Sequence, residues 1–171
     1  MHTKLVGRYI SNIVYGANDG IITTFAVVSG ATGASLSPET VIILGIANLI
    51  ADGFSMGTSN YLSVRSEVEF ERAEHGESKK RNGPMTQGLV TFGAFVVAGS
   101  LPLLPFLFGV PEGIRFEVSV LATATALFIV GSLRALVTKQ SFIRAGFEML
   151  FVGGTAALIA YLLGWFIETL V

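Results

Sequence analysis

The sequence contains no cysteine. Disulfides, thiolate metal sites and cysteine nucleophiles are therefore excluded together, and any metal must be held by oxygen, imidazole or thioether. Charge is scarce as well: only 13% of the 171 residues are Asp, Glu, Lys or Arg, where a soluble domain carries about 25%. No phosphate-binding loop, zinc-ligand spacing or nucleophile–base–oxyanion set can be found, which argues against an enzyme. The first apolar run begins after roughly ten residues with no small-residue cleavage site near it. That segment is expected to remain as an anchor, not to be removed as a signal peptide.

What is abundant is apolar surface. Hydrophobic residues make up 51% of the chain and the mean hydropathy is +0.67. The expected class is an all-α integral membrane protein with five transmembrane helices, at about 9–33, 38–64, 85–109, 112–137 and 142–169. Together they form one domain, and 65–83 forms a short charged cytoplasmic connection. Ser37 before Pro38 and Glu39 reads as an N-cap with proline at the first helical position, and Asn82-Gly83-Pro84 reads as a similar start. Pro102 and Pro105 are expected to kink or end the third helix, because each removes an internal hydrogen bond. Ten of the eleven basic residues fall on one side of this scheme, Arg115 being the exception. The asymmetry places the N-terminus in the cytoplasm and the C-terminus outside. Five spans without an inverted repeat enclose little by themselves, so an oligomer is expected.

Residues 47–63 carry the main functional signal. Asn48, Asp52, Met56 and Asn60 recur at every fourth position, which on a helix makes one polar and thioether stripe. The stripe runs roughly 18 Å, more than half of a hydrocarbon core of about 30 Å. A carboxylate at that depth costs on the order of 3 kcal/mol and is usually kept for a pathway or binding site. The first helix repeats the pattern, with Ser11, Tyr15, Asp19 and Thr23 on one face and Asn18 beside Asp19. Gly16 and Gly20 bracket Asp19, and Gly53 and Gly57 bracket Met56; such pairs let helix backbones approach closely and are read as packing. In the connection, Glu67, Glu71, Glu74 and His75 would share a face if the second helix ran on, and could gather cations there. The plainer alternatives are interhelical hydrogen bonding for the two Asp, core filling for Met56 and a solvated helix end for the acidic run.

The motifs G-A-N-D-G-I-I-T-T-F-A-V-V-S-G-A, A-D-G-F-S-M-G-T-S-N-Y-L-S and G-G-T-A-A-L-I-A-Y-L-L-G together resemble the vacuolar iron transporter family. The resemblance implies a five-helix homodimer in which the first two helices of each copy line a pathway at the twofold axis. It further implies movement of ferrous iron and related divalent ions out of the cytosol in exchange for protons. Carried over by motif, the pathway Asp falls on Asp19 and the pathway Met on Met56. Two departures stand out. Asn60 occupies a position where the family commonly has glutamate, and Asp52 one where a small residue is common. The connection of about twenty residues is also too short for the glutamate-rich cytosolic metal-binding domain of the well-known members, so the chain resembles a short form.

Chemically, two copies would bring two Asp19, two Asp52 and two Met56 to one axis. A mixed oxygen and thioether set favours Fe, Mn, Co and Ni over Mg and Ca. A carboxylate in hydrocarbon tends to hold a proton until a cation displaces it, so proton and metal would be alternate occupants. The expected pathway is Asp19, Asp52, Met56, Asn48 and Asn60, with the first three as ligands or proton carriers. The expected partners are a second copy, the lipid bilayer, divalent metal ions and protons, with no nucleic acid and no cofactor apart from the transported ion. Two rival readings are a permease for another small solute and a non-transporting membrane scaffold. Length and simplicity suggest a prokaryotic inner membrane.

Overall fold

A computed structural model describes residues 2–76, 83–138 and 141–170, with the backbone alone at 2–8 and 136–138. Glu77 and the basic residues Lys79, Lys80, Arg81 and Lys139 lie outside the described residues. The described chain folds into α1 (His2–Gly33), α2 (Pro38–His75), α3 (Pro84–Gly99), a 3-10 turn (Leu101–Leu103), the short α4 (Leu104–Leu107), α5 (Glu112–Thr138) and α6 (Phe142–Glu168). There is no strand among the described residues.

Local chemistry sets the helix ends. α1 closes with Ser35 at a φ of 52° and the Leu36 amide donating to the Ala31 carbonyl, a left-handed turn that captures a final free carbonyl. Two residues later the Ser37 hydroxyl accepts from the Thr40 amide at 3.3 Å, with Pro38 as the first helical residue. α2 then runs unbroken to His75, well past the expected boundary at 64. Gly76, with a φ of 75°, ends it by donating to the Arg72 carbonyl. The third span breaks where the prolines predict: α3 stops at Gly99, and the 3-10 turn and α4 carry Pro102 and Pro105. The Ser119 hydroxyl of α5 donates to the Pro102 carbonyl at 2.7 Å, satisfying an acceptor at the break.

Four stretches are long and apolar enough to cross a membrane: Pro38–His75, Pro84–Leu107, Glu112–Ala135 and Phe142–Glu168. α1, expected as the fifth span, does not reach that standard because Asn12, Asn18 and Asp19 dilute its hydropathy. Its position compensates. α1 packs against α3, α6, α2 and α5, so the long helix without a membrane-spanning apolar window is also the most enclosed one. α6 is at the other extreme, with Phe147, Phe151, Leu158, Leu162, Trp165 and Phe166 all exposed on the isolated chain, as suits a helix bathed in lipid. The main apolar cluster includes Phe25, Val28, Val41, Phe95, Leu103 and Phe106.

The α1–α3 crossing is made by backbone. A methyl group placed on Gly16 or Gly20 would strike the Thr91 or the Phe95 carbonyl of α3. Gly57 of α2 and Gly88 of α3 meet in the same way, a methyl on Gly57 falling 2.9 Å from the Gly88 carbonyl oxygen. Gly53 faces the Phe95 and Phe92 rings of α3. Both glycine pairs therefore seat α1 and α2 on α3. Gly20→Ala is expected to lower stability by about 1–3 kcal/mol, since the obstacle is backbone and not a movable side chain. Gly93→Ala, which meets nothing within 4 Å, should leave it unchanged or slightly higher. Thermal unfolding of the purified variants in detergent checks this, and equal midpoints for the two would contradict the packing account.

Candidate functional site

With α1 and α2 both seated on α3, their polar faces converge. Toward the end formed by the N-terminal half of α1 and the C-terminal half of α2 lies a cleft of about 380 Å³. Ser11, Asn12 and Tyr15 line it from α1, and Met56, Ser59, Asn60 and Ser63 line it from α2. Met56 is 8% exposed and belongs to the apolar cluster as well. It forms part of the cleft wall and of the core at once, so the packing and ligand readings of this residue are compatible.

One helical turn beyond Met56 is Asp52, and one turn beyond Tyr15 is Asp19. Both carboxylates are half-buried and lie close enough for their charges to act on one another. Like charges placed together in a poorly solvated region are unfavourable unless a proton or cation is shared between them. One turn further, the Asn48 amide donates to the Thr24 hydroxyl of α1 at 3.5 Å. The order along the α1–α2 seam is therefore amide, thioether, paired carboxylates, amide.

Two members of the α2 stripe hydrogen-bond to neighbouring helices, Asn48 to α1 and Asn60 to α3. Asn60 donates to the Thr91 hydroxyl of α3, and Asn12 donates to the same oxygen at 3.3 Å. Thr91 is fully buried. Neither Asn12 nor Thr91 stands out in the sequence, because their link joins positions 79 apart and leaves no local periodicity. Asn18, the neighbour of Asp19, faces another space, a cavity of about 330 Å³ lined also by Tyr15, Arg134 and Met149. Arg134 of α5 pairs there with Glu148 of α6 at 3.0 Å.

The acidic run lies on the extension of α2. The helix continuity that its shared face required is present, and Glu67, Glu74 and His75 are exposed while Glu71 is half-buried. Yet no three His, Asp or Glu among the described residues come together as a metal-holding group. A straight helix spreads Glu67 to His75 over about 12 Å, so one chain offers a charged ridge and not a chelate. Arg65 also pairs with Glu69 at 2.8 Å across one turn of this ridge. The same limit applies in the seam, where a single chain supplies two carboxylates and one thioether.

A family model described as the VIT family matches residues 10–82 and 72–165. The chain belongs to the VIT family. Among curated proteins it is 26% identical to a vacuolar iron transporter of Toxoplasma gondii, over 99% of this chain and 78% of that protein. It is 28% identical to one of Plasmodium falciparum, over 91% and 81%, and 27% identical to vacuolar iron transporter 1 of Arabidopsis thaliana, over 92% and 85%. The Toxoplasma alignment extends over 235 positions against the 171 residues of this chain. That relative therefore carries segments absent here, as a short form requires. By contrast, the alignment with vacuolar iron transporter homolog 4 of Arabidopsis covers 161 positions. The VIT family is one of transporters and not of enzymes, and this member is an integral, multi-pass membrane protein. These relatives are parasite and plant proteins named for the vacuole, so they lend no support to the prokaryotic inner membrane expected from chain length.

Proposed function

We propose that the protein moves ferrous iron, or a related late divalent ion such as manganese, cobalt or nickel, out of the cytosol in exchange for protons. The metal is the substrate and is not a resident cofactor. The observation that carries the reading is the α1–α2 seam, in which Met56 in the wall of the cleft leads within one turn to Asp52 and its charged neighbour Asp19. Membership of a family whose named relatives are vacuolar iron transporters supports it.

In this mechanism an ion loses part of its water in the cleft, contacts the Met56 thioether and passes to the two carboxylates, displacing protons. Asp19 and Met56 act as the central ligands, Asp52 as a second carboxylate or proton carrier, and Asn48 and Asn60 as amide oxygens along the route. Neutralising Asp19 and Asp52 with either protons or a divalent ion relieves their repulsion. That competition is the minimum that exchange requires. The N-terminus lies in the cytoplasm, and the exposed ridge of Glu67, Glu74 and His75 concentrates cations at the cytoplasmic mouth by charge alone.

The working unit in this reading is a homodimer with α1 and α2 of both copies around a twofold axis, which doubles the donor set to four carboxylates and two thioethers. Ala47, Ala51, Ser55 and Ser59 form an exposed row of small side chains on α2 at fourfold spacing, a surface that lets a second helix approach closely.

Because the chain lacks cysteine, a single Ser55→Cys substitution should cross-link two copies under mild oxidation in membranes, whereas Phe151→Cys on lipid-facing α6 should not. The reverse pattern on gel electrophoresis would exclude this axis. Met56→Leu preserves volume and removes the sulfur. In proteoliposomes it should reduce the preference for ferrous iron over magnesium about tenfold or more while magnesium flux persists, as loss of a discriminating ligand worth about 1.4 kcal/mol would do. Unchanged selectivity in an ion-competition assay would make Met56 a packing residue only.

A further inference from the structure

We propose that Thr91 converts the cleft into a charge-neutral outer site for a divalent transition-metal ion, by fixing the amides of Asn12 and Asn60 so that both carbonyl oxygens are presented to the cavity. The inference rests on the transport reading and names a station in it that precedes the carboxylates.

A threonine hydroxyl has one hydrogen to donate and two lone pairs to accept with. The Thr91 hydrogen is committed to the Gln87 carbonyl, one turn back on α3, at 3.0 Å. Toward Asn12 and Asn60, Thr91 can therefore only accept. Each amide must turn its NH2 group to α3, and the structure has both Nδ2 atoms on Thr91 Oγ1. Flipping either amide would set oxygen against oxygen with no hydrogen between them, inside a site where Thr91 is fully buried. With the nitrogens anchored, the two Oδ1 atoms lie on the side away from Thr91, and no hydrogen bond among the described residues uses either of them.

Both asparagines line the cleft, together with the Met56 thioether and the Ser59 hydroxyl. No carboxylate lines it among the described residues. The donors are thus two amide oxygens, a sulfur and hydroxyls, all neutral. At about 380 Å³ the space takes an ion with its inner water shell, since each water occupies about 30 Å³. Neutral donors bind a divalent ion loosely and let it go, and weak binding at successive sites is what conduction requires. A glutamate at position 60 would hold the ion harder in the cleft; Asn60 leaves the first full charge compensation to Asp52 and Asp19, about two turns further along the seam. Thr91 is a positioning residue here, and Asn12 joins Asn60 and Met56 as a ligand.

The test uses the full-length protein and Mn²⁺ as the probe. Initial uptake rates in proteoliposomes give KM and Vmax, and electron paramagnetic resonance of free Mn²⁺ gives equilibrium binding to the detergent-purified protein. Thr91→Val keeps the shape of the side chain and removes the acceptor. It should raise KM about tenfold, with Vmax within about twofold, and Thr91→Ser should restore KM. Unchanged KM in Thr91→Val, or a fall in Vmax alone, overturns the proposal. Should Thr91→Val not fold, Asn60→Leu decides the matter by the same KM criterion. If the wild type carries no divalent ion at all, the transport reading falls while the site is judged separately. Bound Mn²⁺ that Asn60→Leu abolishes supports the site, and binding indifferent to Asn60→Leu and Asn12→Leu overturns it.

Discussion

The structure depends on the crossing of α1 over α3, where glycines of α1 lie directly against the α3 backbone. Gly16 and Gly20 bring the two backbones together at Thr91 and Phe95, and that closeness lets α3 reach past its own surface to the polar groups of both neighbours. Without it, Asn12 and Asn60 would have no common partner and α1 would lose the contact that holds its charged middle away from lipid. A helix bearing an Asp at mid-length is expensive to expose to hydrocarbon. Here the expense is avoided by surrounding that helix with α2, α3, α5 and α6.

The same geometry decides what the seam can do. α3 anchors α1 and α2 from behind, so their remaining polar faces turn to each other and outward, and the cleft, the thioether and the paired carboxylates fall in sequence along one line. The arrangement is graded: neutral donors and a polarisable sulfur line the cleft, and two carboxylates that feel each other's charge follow one turn beyond the sulfur. In the proposed transport, each step would ask the ion to give up more water in return for stronger ligands. In the proposed dimer, the exposed row of small residues on α2 is the surface on which a second copy would add its own donors.

Much of this was legible in the sequence, and the reasons are local. Ser37 and Pro38 announce the start of α2, and Pro102 and Pro105 announce the break in the third span, because capping and proline chemistry act within a few residues. The fourfold recurrence of Asn48, Asp52, Met56 and Asn60 marks a helical face for the same reason. Three things were not legible. α2 continues to His75 because charged residues such as Arg65, Glu67 and Glu69 form helix as readily as apolar ones, so the end of the apolar run was not the end of the helix. The acidic run could be read either as a cation-gathering face or as a solvated helix end, and only the continuous helix shows that its rise spreads Glu67 to His75 along a ridge. Thr91 was invisible because its importance comes from two long-range hydrogen bonds, and an isolated threonine in an apolar span has no signature of its own.

The central claim is that the α1–α2 seam carries a divalent transition metal against protons through Asp19. The most direct measurement is ferrous iron uptake into proteoliposomes with and without an imposed pH gradient, wild type against Asp19→Ala. The account predicts gradient-dependent uptake by the wild type and its loss in a variant that still folds. Wild-type uptake in Asp19→Ala, or no uptake by the folded wild type across iron, manganese and cobalt, would contradict it.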